Sequence, residues 1–189
     1  EWPAYAGTYA AARYSPLTQI NRDNAKDLRV AWRWKSPDGA VRAAKPDAIA
    51  PSFSYQSTPL MVGGVLYAST SLSQVTAIDA ATGATRWVFD PRIYDNGLGG
   101  AANKGGVHRG VAYWREGDDE RIIVLTAFAQ MYALDAKTGK PVAGFGKDGH
   151  IDLTQGLRIP VDPVYYTMTS PPVIVRGVIV VGSSVFDFW

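Results

Sequence analysis

The sequence predicts an all-β protein assembled from a repeated antiparallel sheet, and three observations carry that prediction. Short runs of β-branched and aliphatic residues are separated by Gly-, Pro- and Asp-bearing turns. Apolar residues at helical spacing are scarce. One segment recurs at a fixed interval along the chain, the mark of a propeller or solenoid unit.

Taken in order, Asn21 to Leu28 is the best helical candidate, with Asn21 placed to cap a single turn before Leu28, Val30 and Trp32 begin a strand. Leu60 to Ser69 holds two short β runs around Gly63-Gly64, a hairpin signal. Val75 to Trp87 predicts a strand, a tight turn and a second strand. Ile122 to Thr126 and Met131 to Leu134 add further strands, and Val173 to Val181 repeats the hairpin design around Arg176-Gly177.

The repeat is Ala77-Ile-Asp-Ala-Ala-Thr-Gly83 against Ala133-Leu-Asp-Ala-Lys-Thr-Gly139, with Asp79 to Asp135 and Gly83 to Gly139 each 56 apart. Thr58-Pro-Leu and Ser170-Pro-Pro begin a second matched pair at 112, twice that interval. An ordinary meander with two look-alike hairpins gives no reason for commensurate offsets. In each copy the Asp is suited to bond turn N–H groups, and the Gly to take the left-handed backbone position. Trp87, on the strand that follows, is expected to plug the space between neighbouring sheets. At 56 residues per unit the chain holds about 3.4 units, whereas a ring closes with about 4 to 8. It is therefore expected to be about three blades of a larger propeller, residues 1–189 forming its N-terminal portion and incomplete at the C-terminus.

Composition narrows the function. Lys and Arg number 19 against 17 Asp and Glu, a net charge of +2 that gives no reason to expect a nucleic-acid binder. Hydrophobic residues make up 47% and charged residues 19%, which excludes a disordered chain. No apolar run approaches the roughly 18 residues of a membrane-spanning helix. There is no cysteine, so disulfides, thiolate zinc sites and c-type haem attachment are excluded within these residues.

These motifs together resemble the N-terminal part of the pyrroloquinoline-quinone (PQQ) dependent dehydrogenases. The resemblance is carried by Trp2-Pro-x-Tyr5-x-Gly7, by Arg13-Tyr-Ser-Pro-Leu-x-Gln19-Ile20 and by Asn24-Ala-Lys-Asp-Leu28-x-Val30-Ala-Trp32. Ala77 to Trp87 is similar to that family's tryptophan-docking motif, whose second copy here lacks the closing Trp. His108-Arg-Gly-Val-Ala-Tyr-Trp114 and Thr169-Ser-Pro-Pro172 also match, and the order of motifs runs through essentially the whole chain. Phe145-Gly-Lys-Asp-Gly149 and Thr169 to Pro172 lean towards the membrane-type glucose dehydrogenases rather than methanol dehydrogenase. The resemblance implies an eight-bladed propeller with PQQ near its axis and a divalent metal, usually Ca²⁺, against the quinone. It also implies oxidation of an aldose sugar or an alcohol in the periplasm, with electrons passing to a quinone or cytochrome acceptor.

Carried over residue by residue, the resemblance makes Arg109 a PQQ ligand, its guanidinium suited to pair with one of the cofactor's three carboxylates. Thr169 would donate to a cofactor oxygen. Gln56 falls where alcohol-dehydrogenase relatives place a glutamate near PQQ. Ser184, Val185 and Phe186 would line the cofactor, and Asp187 would bind Ca²⁺. Read without the family, these residues are a surface arginine, a strand-start threonine and a solvated strand end. An aspartate flanked by Phe186, Phe188 and Trp189 is nevertheless costly to bury unless paired or metal-bound.

Two departures matter. Many alcohol-dehydrogenase relatives carry an adjacent cysteine pair before the arginine, where Lys104 to His108 here has none. His108 takes the neighbouring slot, where it could touch the cofactor, although a lone loop histidine reads more often as simply exposed. The family's catalytic aspartate, its other metal ligands and the tryptophan under PQQ fall beyond residue 189, so this stretch alone is not expected to turn over substrate. The alternative is a non-catalytic propeller of the same blade type that binds proteins through its loops; such scaffolds lack the arginine and Ser-x-x-acid set.

Overall fold

The computed structural model describes residues 1–46, 55–95, 107–162 and 165–184. Two four-stranded antiparallel sheets and a two-stranded one follow each other along the chain. The first holds β1 (Leu60–Val62), β2 (Val65–Ser69), β3 (Val75–Asp79) and β4 (Thr85–Phe89) in that spatial order. The second holds β5 (Ala112–Glu116), β6 (Asp119–Leu125), β7 (Gln130–Asp135) and β8 (His150–Asp152), and the third β9 (Val173–Val175) and β10 (Val178–Val180). Each sheet is an antiparallel meander in which consecutive strands are joined by short turns, except that residues 136–149 intervene between β7 and β8.

The two copies of the repeat form the same turn between third and fourth strands. Asp79 Oδ1 accepts from the Thr82 N–H and hydroxyl, at 3.0 Å each, as Asp135 Oδ1 does from Thr138 at 2.7 Å. Gly83 and Gly139 take φ of +74° and +71°. Arg86 adds an ion pair to Asp79, and together with the Thr82 bonds it lowers that carboxyl to about 2. A further repeat element sits between second and third strands. Thr70 and Thr126 each accept, through Oγ1, the N–H of a glutamine four residues on, Gln74 and Gln130.

Trp87 plugs the gap between sheets as expected. A Cβ on Gly139 would lie 2.5 Å from its ring, so glycine is what lets the indole lie flat on the turn, and Nε1 donates to the Ala136 carbonyl at 3.1 Å. Trp32 makes the matching contact to the first sheet, packed on Gly83 and donating to the Ala80 carbonyl at 3.1 Å. The expected strand at Leu28, Val30 and Trp32 is not formed; Leu28 and Val30 are exposed, and among the described residues no strand lies alongside to complete a ladder. In the second sheet the register sets Gly149, not tryptophan, opposite Ala133, where Trp87 stands opposite Ala77. Pro141 crowds that position, with its Cβ 2.4 Å from any Cβ on Gly149.

β6 shows why the blades stack. Its apolar run is buried on both faces, with Ile122 and Val124 packed towards the first sheet and Ile123 and Leu125 towards the third. A strand sandwiched between sheets has no solvent face, so the usual alternation is replaced by continuous hydrophobicity.

Among the described residues three helical pieces flank the sheets, one of them a 3₁₀ turn at Ile93–Asp95. The expected turn is a 3₁₀ turn at Ala25–Asp27, with Asn24 rather than Asn21 in the N-cap position; Asn21 Oδ1 instead accepts from the Asp23 and Asn24 N–H groups ahead of it. The helix α1 (Asp38–Ala44) was not expected, since Pro37 and Gly39 at its start mask an alanine-rich turn. Asp38 turns inward from it, accepting from Thr70 Oγ1 at 2.6 Å and from the Leu72 N–H at 3.3 Å. Burial pushes its carboxyl above the usual range despite those bonds. Among the described residues no helix is long and apolar enough to cross a membrane.

Candidate functional site

The first strands of the three sheets converge, and the residues just ahead of them form the candidate site. The Thr58 N–H donates to the Arg109 carbonyl at 3.0 Å, and the Arg109 N–H donates to the Thr169 carbonyl at 2.9 Å. This line of backbone bonds crosses from sheet to sheet around a common hub. Gly110 permits the close approach: at φ +143° any Cβ there would sit 3.1 Å from the Thr58 carbonyl oxygen.

Side chains follow the backbone. Arg109 Nη1 donates to Thr169 Oγ1 at 2.7 Å, which brings together two of the residues expected at the cofactor although they lie 60 positions apart. Among the described residues this is the guanidinium's one side-chain hydrogen bond. The Ser184 N–H donates to the Thr167 carbonyl at 2.7 Å, which holds the segment after β10 beside the one carrying Thr169. Thr167 Oγ1 is buried and has no partner among the described residues. Gln56 is exposed and lies two residues ahead of Thr58. Val185, Phe186 and Asp187 lie outside the described residues, and among those described no cluster of carboxylates or histidines could hold a metal.

A cavity of about 370 Å³ opens beside this line, walled by Arg109, Tyr113, Pro171 and Pro172 and by Tyr5 and Tyr9 of the N-terminal segment. That segment is anchored on the hub-side edge of β1, where Trp2 and Met61 exchange two backbone bonds of 2.7 and 3.0 Å. Tyr113 donates to Glu120 Oε2 at 2.9 Å, and burial together with that carboxylate pushes the phenol up to about 12.

His108 departs from its expected place. It is 3% exposed, with Nδ1 2.7 Å from Ser69 Oγ and Nε2 on the Leu125 carbonyl oxygen. Burial holds its pKa below the ordinary histidine value. An isolated loop histidine carries no sign of this in sequence, because its partners come from two other strands. The Thr70–Gln74 and Thr126–Gln130 pairs did leave a sign: both lie 56 apart, in step with the repeat.

Stacked four-strand meanders, docked by tryptophan on glycine and converging on a shared hub, define a segment of a β-propeller. The family described as PQQ glucose/ethanol/alcohol dehydrogenase, beta-propeller domain, matches residues 2–189, and the chain belongs to it. It is 31% identical to quinoprotein glucose dehydrogenase A of Acinetobacter calcoaceticus, over 99% of this chain and 24% of that protein. It is 33% identical to the dehydrogenase subunit of a quinone-linked alcohol dehydrogenase of Komagataeibacter europaeus, over 99% of this chain and 22% of the relative. Among solved structures, the quinohemoprotein alcohol dehydrogenase of Comamonas testosteroni superposes with a TM-score of 0.71 at 31% identity, covering 97% of this chain and 23% of that one. The chain thus spans under a quarter of the length of these relatives.

Proposed function

We propose that these residues form the opening blades of a PQQ- and Ca²⁺-dependent dehydrogenase that oxidises an aldose sugar of glucose type, or an alcohol, in the periplasm and passes electrons to a quinone or cytochrome. The observation that carries this reading is the Arg109–Thr169 pair at the hub, a guanidinium that lines a cavity and is bonded to a hydroxyl behind it. That donor set fits a planar group with several carboxylates. The guanidinium makes paired, charge-assisted bonds to one carboxylate, and the hydroxyl keeps the guanidinium in plane while still able to bond the ligand.

PQQ, when bound, supplies the two-electron oxidising capacity, and the protein's contribution is to place and polarise it. Arg109 would fix the cofactor's orientation, and the backbone line through Thr58, Arg109 and Thr169 would keep that grip rigid. Gln56 would offer an amide to the same ligand, and Ser184, Val185 and Phe186 would lie along its edge. Asp187 would hold Ca²⁺, a hard cation that takes carboxylate oxygens. The absence of cysteine before Arg109 favours the glucose-type branch over the methanol type.

The test is reconstitution of the protein at its natural length with PQQ and Ca²⁺. Cofactor absorbance with dye-linked oxidation of glucose or simple alcohols is expected. No cofactor uptake and no oxidation would overturn the reading in favour of a non-catalytic scaffold.

A further inference from the structure

We propose that His108 is a positioning residue for the hub arginine, a neutral imidazole strut that ties Ser69 of the first sheet to the Leu125 carbonyl of the second and so fixes the backbone from which Arg109 reaches the cofactor. It rests on the cofactor reading of Arg109 given above.

The hydrogen-bond roles can be assigned by elimination. A carbonyl oxygen only accepts, so Nε2 facing Leu125 must carry the proton. Nδ1 of a neutral ring is then an acceptor, and the Ser69 hydroxyl donates to it at 2.7 Å. With its proton committed, Ser69 Oγ can accept from the Ser57 hydroxyl at 3.1 Å, while the Ser69 N–H donates to Ser57 Oγ at 3.2 Å. Both ring nitrogens are satisfied, in keeping with a side chain that is 3% exposed.

The network spans the chain segment before β1, the end of β2, the segment before β5 and the end of β6. Its neighbour, residue 109, is tied by its own N–H to Thr169 and by its carbonyl to Thr58. Residues 108 and 109 together are thus fastened to all three sheets, and the arginine's long stem starts from a fixed point. A ligand-gripping side chain held by supporting bonds loses less freedom on binding than one that must be ordered by the ligand. A histidine that merely fills core would affect folding, but its effect on the cofactor would not pass through Arg109.

A double-mutant cycle separates the two. In the natural-length protein, PQQ is titrated by fluorescence into wild type, His108→Ala, His108→Asn, Arg109→Ala and the His108→Ala/Arg109→Ala pair. His108→Ala is expected to weaken PQQ binding about tenfold, the scale of one or two lost neutral hydrogen bonds. His108→Asn, which returns an acceptor at the Nδ1 place, is expected to recover most of that. In the Arg109→Ala background the His108 substitution is expected to change affinity by less than about twofold. Should His108→Ala not fold, Ser69→Ala removes one hydroxyl of the strut and goes through the same cycle. An equal effect in both backgrounds, or none in either, would overturn the positioning role while leaving the cofactor reading intact. Unchanged PQQ affinity in Arg109→Ala alone would overturn both.

Discussion

At the scale of single residues, the hub divides into what motif reading reaches and what only folding reveals. Arg109 and Thr169 each sit in a short distinctive stretch, and the structure joins them by a 2.7 Å bond that neither stretch announces. Replacing Arg109 by Ala is expected to weaken PQQ binding by several kcal/mol at most, given about 1.5–3 kcal/mol for each charge-assisted bond. Lys at this position keeps the charge but not the planar fork, so its affinity should fall between the two. Equilibrium titration of the cofactor checks both, and wild-type affinity in the Ala variant would remove Arg109 from the site. The burial of His108 is not legible in the sequence because its partners, Ser69 and Leu125, are brought to it by strand stacking. Its burial has a pH signature. The unfolded residue titrates near 6.5 and the folded one lower, so its contribution to stability is intact above about 6.5 and is lost as pH falls from there towards the folded value. Asp38, whose folded pKa is raised, acts in the opposite sense: its contribution is full below its unfolded value and is lost as pH rises through the folded one. Denaturation midpoints at pH 7.5 and 5.5 should therefore drop more in wild type than in His108→Asn. Equal drops would show that the imidazole is not protected from protonation.

At the scale of elements, the blade repeat was readable because its turn is chemically demanding, while elements defined by partnership were not. Asp79 and Asp135, with Gly83 and Gly139, mark the turn by residue type alone. The strand expected at Leu28 to Trp32 has the right pattern but, among the described residues, no neighbour to bond with, and Pro37 and Gly39 mask α1. β8 is not legible in the sequence because Pro141 and the excursion to Gly149 stand where the first copy carries Trp87. The docking contact predicts a contrast between glycines that look alike in sequence. Gly139→Ala combines a left-handed φ of +71° with a Cβ 2.5 Å from the Trp87 ring, which stacks of packed sheets cannot relieve cheaply. A loss of about 2–4 kcal/mol is expected, backbone strain and overpacking together. Gly63→Ala meets a similar φ, +56°, but open space, so about 1–2 kcal/mol is expected there. Thermal or denaturant unfolding of the two variants checks the order. If Gly63→Ala proves as damaging as Gly139→Ala, tryptophan packing is not what holds the sheets together.

At the scale of the whole molecule, the architecture works as a series of interfaces, each blade lending one face to the next. The first sheet receives Trp32 and passes Trp87 to the second, and the second is buried on both faces of β6. The third sheet, β9 and β10, differs from the first two. Among the described residues these form two strands where the others form four, and Val173, Val175, Val178 and Val180 are 46%, 51%, 62% and 54% exposed. A lone two-strand hairpin is marginal in water, and an exposed apolar sheet face with open edges is a template for association. Residues 1–189 expressed by themselves are therefore expected to bind a hydrophobic dye, to self-associate as concentration rises and to take up no PQQ. The natural-length protein should elute as a single defined species. Replacing Val178 and Val180 by Thr in the short form should reduce association without restoring cofactor uptake, because the apolar face and the hub are separate features. A short form that stays monomeric and melts in one cooperative transition would mean that three sheets suffice as a folding unit, and that the propeller reading overstates how far each blade depends on the next.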